Sequence, residues 1–470
     1  MSPEQTTDVV VIGAGAVGEN AAARVVRGGL SAVLIEAELV GGECSYWACM
    51  PSKALLRPGA ALQSARSVPG AREAVTGTLD TEHVLARRDR FTSEWDDSSQ
   101  VDWLNSTGIT LIRGHARLAG ERRVTVTTDD GDTTLVARHA VVLATGSTPT
   151  VPPIDGLAGL DYWGTREATS AREVPESLTV LGGGVAGAEL AQAYARLGST
   201  VTLIARSGLL GNYPEPAAEL VRKGLQRDGV TVRLHANTES VAYDGGRFLV
   251  SLAGGTVVES EKLLVSTGRH PALSGLGIED LGLEPKRLHT DDSGQVSGHP
   301  WLYAVGDAAG KALLTHQGKY EARMMGDALV ARAKGELKGS PDDWSAFAAT
   351  ADTYAVPQVV FTDPEIAMVG RTLEAARRDG LDASETSLGL AVAGSALHSD
   401  GYEGWAQMVV DEDRKVLVGV TFAGPDVAEL LHAATVAITG EVPLNRLWHA
   451  VPAYPTISEV WLRLLEKYGL

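Results

Sequence analysis

Residues 8–37 read DVVVIGAGAVGENAAARVVRGGLSAVLIEA, and this stretch decides the fold. A short apolar run, Val9 to Ile12, gives way at once to glycines and then to an alanine-rich helical pattern. A second apolar run follows and ends on Glu36. Short, uninterrupted apolar runs flanking a helix read as parallel strands buried on both faces, so the segment predicts a right-handed βαβ unit. The turn holds Gly13-x-Gly15-x-x-Gly18. Glycines at that spacing permit a tight turn and let backbone N–H groups approach a pyrophosphate at the helix N-terminus. Glu36, 18 residues beyond Gly18, stands where an acid can accept hydrogen bonds from an adenosine ribose.

The same pattern occurs again at residues 178–206, LTVLGGGVAGAELAQAYARLGSTVTLIAR, with Gly182-x-Gly184-x-x-Gly187. Here Ala205 occupies the acid's place and Arg206 follows it. Without a carboxylate for a ribose 2′-hydroxyl, and with a guanidinium at hand, a 2′-phosphate is favoured, which points to NADP(H) over NAD(H). The two units close on matching strand-turns, AVVLATGSTP containing Gly146 and KLLVSTGRHP containing Gly268. Between the units lie a helical stretch, 53–107, and a β-rich one, 109–136. PWLYAVGDAAG at 300–310 leads to a helix through 317–334, and AKGELKGSPDD then reads as a boundary. The fold class expected is α/β: two Rossmann-like dinucleotide-binding domains with a C-terminal α+β domain. The divisions are 1–150 with 271–345, 151–270, and 346–470.

Composition narrows the function classes. The 470 residues are 44% hydrophobic and 21% charged, as in ordinary globular chains. A net charge of −18 without a basic stripe argues against nucleic-acid binding. No apolar run is long enough for a membrane span, and residues 1–8 are polar, so neither a span nor a signal peptide is expected and the protein is read as cytoplasmic. The two cysteines, Cys44 and Cys49, are too few for a disulfide scaffold, and C-x4-C spacing in such a chain more often means chemistry. They sit in GGECSYWACMPSK, residues 41–53. Cys49 precedes Pro51 and a helical run, and a cysteine at a helix N-terminus has its thiolate stabilised by the dipole and the free N–H groups.

These motifs together resemble the pyridine nucleotide-disulfide oxidoreductases, the family of glutathione reductase, lipoamide dehydrogenase and mercuric reductase. The likeness runs over essentially the whole length. GGECSYWACMPSK, with Gly42 in it, is similar to the family's redox-active segment, and PWLYAVGDAAG to its second FAD motif. AVPQVVFTDPEIAMVG resembles the opening of its dimer-interface domain, and PTISE part of its C-terminal active-site motif. The resemblance implies FAD as a cofactor, held in part by Gly306 and Asp307. It implies Cys49 as the thiolate beside the flavin and Cys44 as the interchange thiol. Lys53 would lie by the flavin and pair with Glu189, a cation that favours an anionic reduced flavin. The helix near Thr315 and His316 would aim its positive end at the flavin, with His316 a packing or backbone-contact residue. A homodimer sharing its sites is implied, with Tyr454 and Glu459 supplied by the second chain.

The chain departs from the family at one catalytic position. Where a histidine precedes the C-terminal Pro-Thr, this sequence has Tyr454, and a phenol with a pKa of about 10 is a poor base at neutral pH. His449, five residues earlier, is a candidate substitute. Glu459 matches the family's glutamate, while Thr456-x-x-Glu459 also reads as a capping box for the last helix. Mercury reduction that needs a C-terminal cysteine pair is not expected, because no cysteine follows Cys49. Tyr46 and Trp47 are bulky for the redox loop; they can pack, narrow the disulfide face or stack on an aromatic substrate. The leading expectation is an NADPH-dependent disulfide or dithiol oxidoreductase acting on a small thiol or disulfide, with weak turnover of glutathione disulfide and lipoamide. Alternatives are reduction of quinones, other small oxidants or metal ions, and carbon–carbon cleavage like that of 2-ketopropyl-coenzyme M oxidoreductase/carboxylase.

Overall fold

The computed structural model describes residues 4–470. Contacts divide the chain into two compact units.

The first unit contains the chain up to Pro51, Asp89–Thr150 and Arg269–Asp352. Its seven-stranded sheet is built around the opening strand Glu4–Ile12, which pairs in parallel with Ala32–Glu36 on one side and Gly131–Leu143 on the other. Val9, Val10 and Val11 are completely buried, as expected of a strand covered on both faces. The helix after the first glycine loop, Ala16–Arg27, packs through Ala21, Ala22 and Val25. The long helix Thr315–Ala333 lies against it, and Arg24 clamps the two together through Asp327, at 2.5 Å. Leu302–Ala304 joins Gly131–Leu143 in parallel, so the strand of the GDAAG motif ends beside the strand of the ATGST turn.

The second unit contains Ser52–Arg88, Val151–Gly268 and Thr353–Leu470. A four-stranded parallel sheet runs in the order Thr231–Arg233, Thr200–Ile204, Ser177–Leu181, Lys262–Val265. A three-stranded antiparallel sheet, Thr238–Asp244, Arg247–Leu252 and Val257–Ser260, is inserted before its last strand. The C-terminal part forms a five-stranded antiparallel sheet in the order Pro357–Val360, Glu365–Gly370, Val416–Gly424, Trp405–Asp411, Ala383–Gly389. Val416–Gly424 is buried at every residue, because it is central and covered on both faces. Val360, Ile366 and Ala423 of this sheet share one core with Leu178, Leu203 and Val221. The α/β fold class read from the sequence is the observed one. Among the described residues, no helix is long and apolar enough to cross a membrane.

Candidate active site

The first glycine loop is closed by its own backbone. A Cβ on Gly18 would lie 1.8 Å from the Gly13 carbonyl oxygen, so only glycine lets the helix start this close to the strand. Both oxygens of Glu36 are engaged by the loop: Oε2 accepts the Ala14 N–H at 2.7 Å and Oε1 the Glu38 N–H at 2.8 Å. The redox segment crosses the same loop. Gly41 N–H donates to the Ala14 carbonyl at 2.8 Å, Gly41 bridges to Gly15, and a Cβ on Gly42 would come within 2.8 Å of the Gly15 Cα. Sequence spacing identified Gly42 as part of a motif; the structure supplies the reason, which is backbone packed on backbone.

Cys44 lies on a short helical turn, Gly42–Tyr46, and Cys49 opens the helix Cys49–Arg66. Both are half-buried thiols. The Cys49 Sγ is 3.3 Å from the Thr315 hydroxyl, at the first residue of the long helix. The Cys44 thiol is pushed far above the ordinary thiol range, chiefly by its hydrogen bond with Cys49 and then by burial, while Thr315 and Lys319 pull the other way. Thr315 is a residue whose contact with both sulfurs the sequence did not reveal. His316, beside it, is exposed. Tyr46 is 1% exposed and meets Trp47 edge-on at 5.7 Å, so its ring is core and unavailable for stacking on a substrate.

The GDAAG motif turns at Gly306, whose N–H donates to Glu321 Oε2 at 2.7 Å. Asp307 accepts a 2.6 Å hydrogen bond from the Ser147 hydroxyl, one residue past Gly146, and lies 3.5 Å from Arg269, the residue after Gly268. Burial first, and then the charge of Asp352, pushes the Glu321 carboxyl above the usual range.

In the second unit, Gly184 caps the helix Val185–Arg196 and has open space where a side chain would stand. A Cβ on Gly187 would lie 2.2 Å from the Gly182 carbonyl oxygen. Arg206 is exposed just past the strand Thr200–Ile204, and the exposed Arg233 ends the neighbouring strand in register with Ile204. Glu189, on the helix behind the loop, is 2% exposed. Its Oε2 takes Lys53 Nζ at 2.7 Å and its Oε1 the Phe361 N–H at 2.9 Å, with the Lys53 ammonium 4.9 Å from the Phe361 ring centre.

Tyr454 is 76% exposed on a segment whose next residue but one, Thr456, passes so near Gly394 that a Cβ there would be 2.1 Å from the Thr456 carbonyl carbon. The capping box expected at Thr456 and Glu459 is not formed. Thr456 Oγ1 donates instead to the Ala453 carbonyl at 2.6 Å, and Glu459 pairs with Arg463 at 2.5 Å. Arg463, one turn further along, takes Oε1, while the buried Oε2 has no hydrogen-bond partner among the described residues. His449 is exposed.

Residues 7–335 match the family described as pyridine nucleotide-disulphide oxidoreductase, and residues 356–464 match that family's dimerisation domain. The chain belongs to the pyridine nucleotide-disulphide oxidoreductases. Among the relatives, this oxidoreductase is 34% identical over 479 residues to the dihydrolipoyl dehydrogenase of Thermus scotoductus, covering 98% of this chain and 97% of that one. It is 32% identical over 460 residues to the mercuric reductase of Acidithiobacillus ferrooxidans, covering 97% and 81%. In fold it is similar to the HOCl-induced flavoprotein disulfide reductase RclA of Escherichia coli, with a TM-score of 0.81 at 23% identity over 98% of this chain and 99% of that one. LpdA of Mycobacterium tuberculosis gives a TM-score of 0.81 at 24% identity, covering 99% and 100%.

Membership makes the oxidoreductase an FAD enzyme that also uses a pyridine nucleotide. The residues present fit both groups. Each glycine loop presents a helix N-terminus with no side chain at its closest approach, and Asp307 and Glu36 are acceptors held in place by their own hydrogen bonds.

Proposed function

We propose that this oxidoreductase carries electrons from NADPH to a disulfide substrate through the Cys44–Cys49 pair. The observation that carries this reading is the setting of the pair: the two thiols are hydrogen-bonded to each other, and Cys49 opens a helix with its sulfur 3.3 Å from the Thr315 hydroxyl. As the resemblance implies, Cys44 is the interchange thiol and Cys49 the thiolate that closes the disulfide again. FAD, when bound, supplies a carrier that accepts hydride from the nicotinamide and passes two electrons to the disulfide. Gly13, Gly15, Gly18, Glu36, Gly42, Gly146, Gly306 and Asp307 would hold it. Lys53, kept in place by Glu189, would be its cation. Gly182, Gly184, Gly187 and Gly268 would border the nucleotide. Arg206, with Arg233 at the same sheet edge, supports the 2′-phosphate and so NADPH.

The domain division expected from the sequence belongs to this proposal, as do a cytoplasmic location and a homodimer in which the partner's C-terminal segment completes the site. The matched dimerisation domain supports the dimer. Reduction of quinones is a second reading, favoured by Tyr454: a phenol stands at the family's histidine position, and quinone acceptors need no proton delivered to a leaving thiolate.

Anaerobic titration of the FAD-loaded protein with NADPH tests the main reading. Two electrons should produce the long-wavelength absorbance of a thiolate beside oxidised flavin. Cys49→Ser should abolish that band, and Cys44→Ser, which cannot form the disulfide, should show it before any NADPH is added. A wild-type protein that never develops it has no working dithiol.

A further inference from the structure

Val360, Phe361 and Thr362 stand at the end of the strand Pro357–Val360, and their burial runs against their chemistry. Val360 and the polar Thr362 are buried, while the phenylalanine between them is 40% exposed. A large apolar side chain left in the open beside a buried polar one is the informative kind of exception. Its backbone is firmly held all the same. The helix Val185–Arg196 turns one polar stripe towards residues 361–363: Glu189, Gln192 and Arg196, at spacings of three and four that share a helix face. Glu189 accepts the Phe361 N–H at 2.9 Å. Gln192 accepts the Asp363 N–H at 2.7 Å and donates to the Asp363 carbonyl at 2.8 Å. Arg196 reaches the Asp363 carboxylate at 2.7 Å. Three largely buried polar side chains, each costly to desolvate unless paired, thus fix where one exposed ring stands.

What that ring meets is the Lys53 ammonium. Nζ lies 4.9 Å from the ring centre, inside the ~6 Å over which an aromatic face attracts a cation. The same ammonium donates to Glu189 Oε2 at 2.7 Å and lies 3.4 Å from the Ser52 hydroxyl. Glu189 therefore closes a triangle. One of its oxygens takes the ammonium, and the other takes the backbone of the residue whose ring covers that ammonium.

We propose that Phe361 is a positioning residue for the flavin cation: its ring and Glu189 together clamp the Lys53 ammonium, so that the charge is presented to the flavin from one place. The inference rests on the reading of Lys53 given above and adds a residue that acts only through the lysine. A lysine is a point charge on a flexible four-carbon stem, and one carboxylate fixes it at a single point while offsetting its charge. An aromatic face restrains the ammonium through its quadrupole and adds no opposite charge. The position then requires an electron-rich ring, and an aliphatic side chain of similar bulk does not replace it.

Equilibrium redox titration of the bound flavin, with stopped-flow reduction by NADPH, tests this on the holoenzyme. Phe361→Leu should lower the flavin midpoint potential and slow flavin reduction roughly 3–10-fold, the scale of one cation–aromatic contact, while Phe361→Tyr stays close to wild type. Pentafluorophenylalanine incorporated at position 361 keeps the ring's shape and reverses its charge distribution, so it should behave as Phe361→Leu does. That variant decides if the leucine loosens the fold. Because Phe361 acts through Lys53, Phe361→Leu should change neither quantity further in a Lys53→Met background. Additive losses in the double variant, or a wild-type potential and rate in the pentafluorophenylalanine protein, overturn the proposal. If Lys53→Met itself leaves potential and rate unchanged, the reading of Lys53 as the flavin cation falls, and the proposal with it.

Discussion

Glu189 holds two things at once: the Lys53 ammonium at 2.7 Å and the Phe361 N–H at 2.9 Å, while itself 2% exposed. Both carboxylate oxygens are used, so neither partner can be lost cheaply. A buried carboxylate left with one partner keeps most of its desolvation cost. Glu189→Gln should therefore destabilise the protein by about 1–3 kcal/mol in urea denaturation. Lys53→Met should slow flavin reduction by NADPH at least ~10-fold, the scale of one lost electrostatic donor. A flavin-reduction rate unchanged in Lys53→Met would reduce the pair to a structural brace.

The second glycine loop sets nucleotide use. A Cβ on Gly187 would meet the Gly182 oxygen at 2.2 Å and the Ser266 hydroxyl at 2.8 Å. Gly187→Ala should raise KM for NADPH and NADH together, since it deforms the shared pyrophosphate turn. Arg206→Ala should raise KM for NADPH alone, by ~10–100-fold if one or two charge-assisted hydrogen bonds are lost. Steady-state kinetics with both nucleotides separates the two effects, and an equal rise for both in Arg206→Ala would remove this arginine from the phosphate.

Glu365 gives stability a pH dependence. It is half-buried and accepts the Ala428 N–H at 2.9 Å. Burial first, with Asp426, Asp363 and Glu429 nearby, pushes it up to about 7 from an ordinary 4.5. A folded-state pKa above the unfolded one means that stability is full below 4.5 and is lost as pH rises through about 7. The loss amounts to ~3 kcal/mol at most. Glu365→Gln should flatten the urea midpoint between those pH values, and a midpoint that falls as steeply in the variant would assign the effect to other groups.

Tyr454 is 76% exposed, and a phenol with a pKa of about 10 is a poor base at neutral pH. Tyr454→Phe should keep turnover of both disulfide and quinone acceptors within about threefold, far below the cost of losing an acid–base group. Loss of disulfide turnover alone in Tyr454→Phe would make the phenol the working acid.

Much of this protein was legible along the chain because its chemistry is written in local backbone requirements. The two G-x-G-x-x-G turns and the C-x4-C segment each need particular residues at short fixed spacing, so pattern alone determined the α/β class and pointed to the two glycine loops and the cysteine pair as candidates. The Lys53–Glu189 pairing was expected only through resemblance, and its second arm, to Phe361, was not expected at all; 172 residues separate those partners. Thr456 and Glu459 show the converse. Their spacing satisfies a capping pattern, yet Thr456 turns to the Ala453 carbonyl and Glu459 to Arg463, because the local backbone geometry and not the spacing decides which groups come within reach. What acts on the Cys44 thiol was likewise decided by tertiary structure: its hydrogen bond with Cys49 and its burial push it up, while Thr315 and Lys319, some 270 residues away, pull the other way and have no signature at Cys44 itself. Glu19 carried no signal in the sequence; the packing of two helices around it buries its carboxyl and pushes it up to about 7, since desolvation is a property of the surroundings and not of the residue.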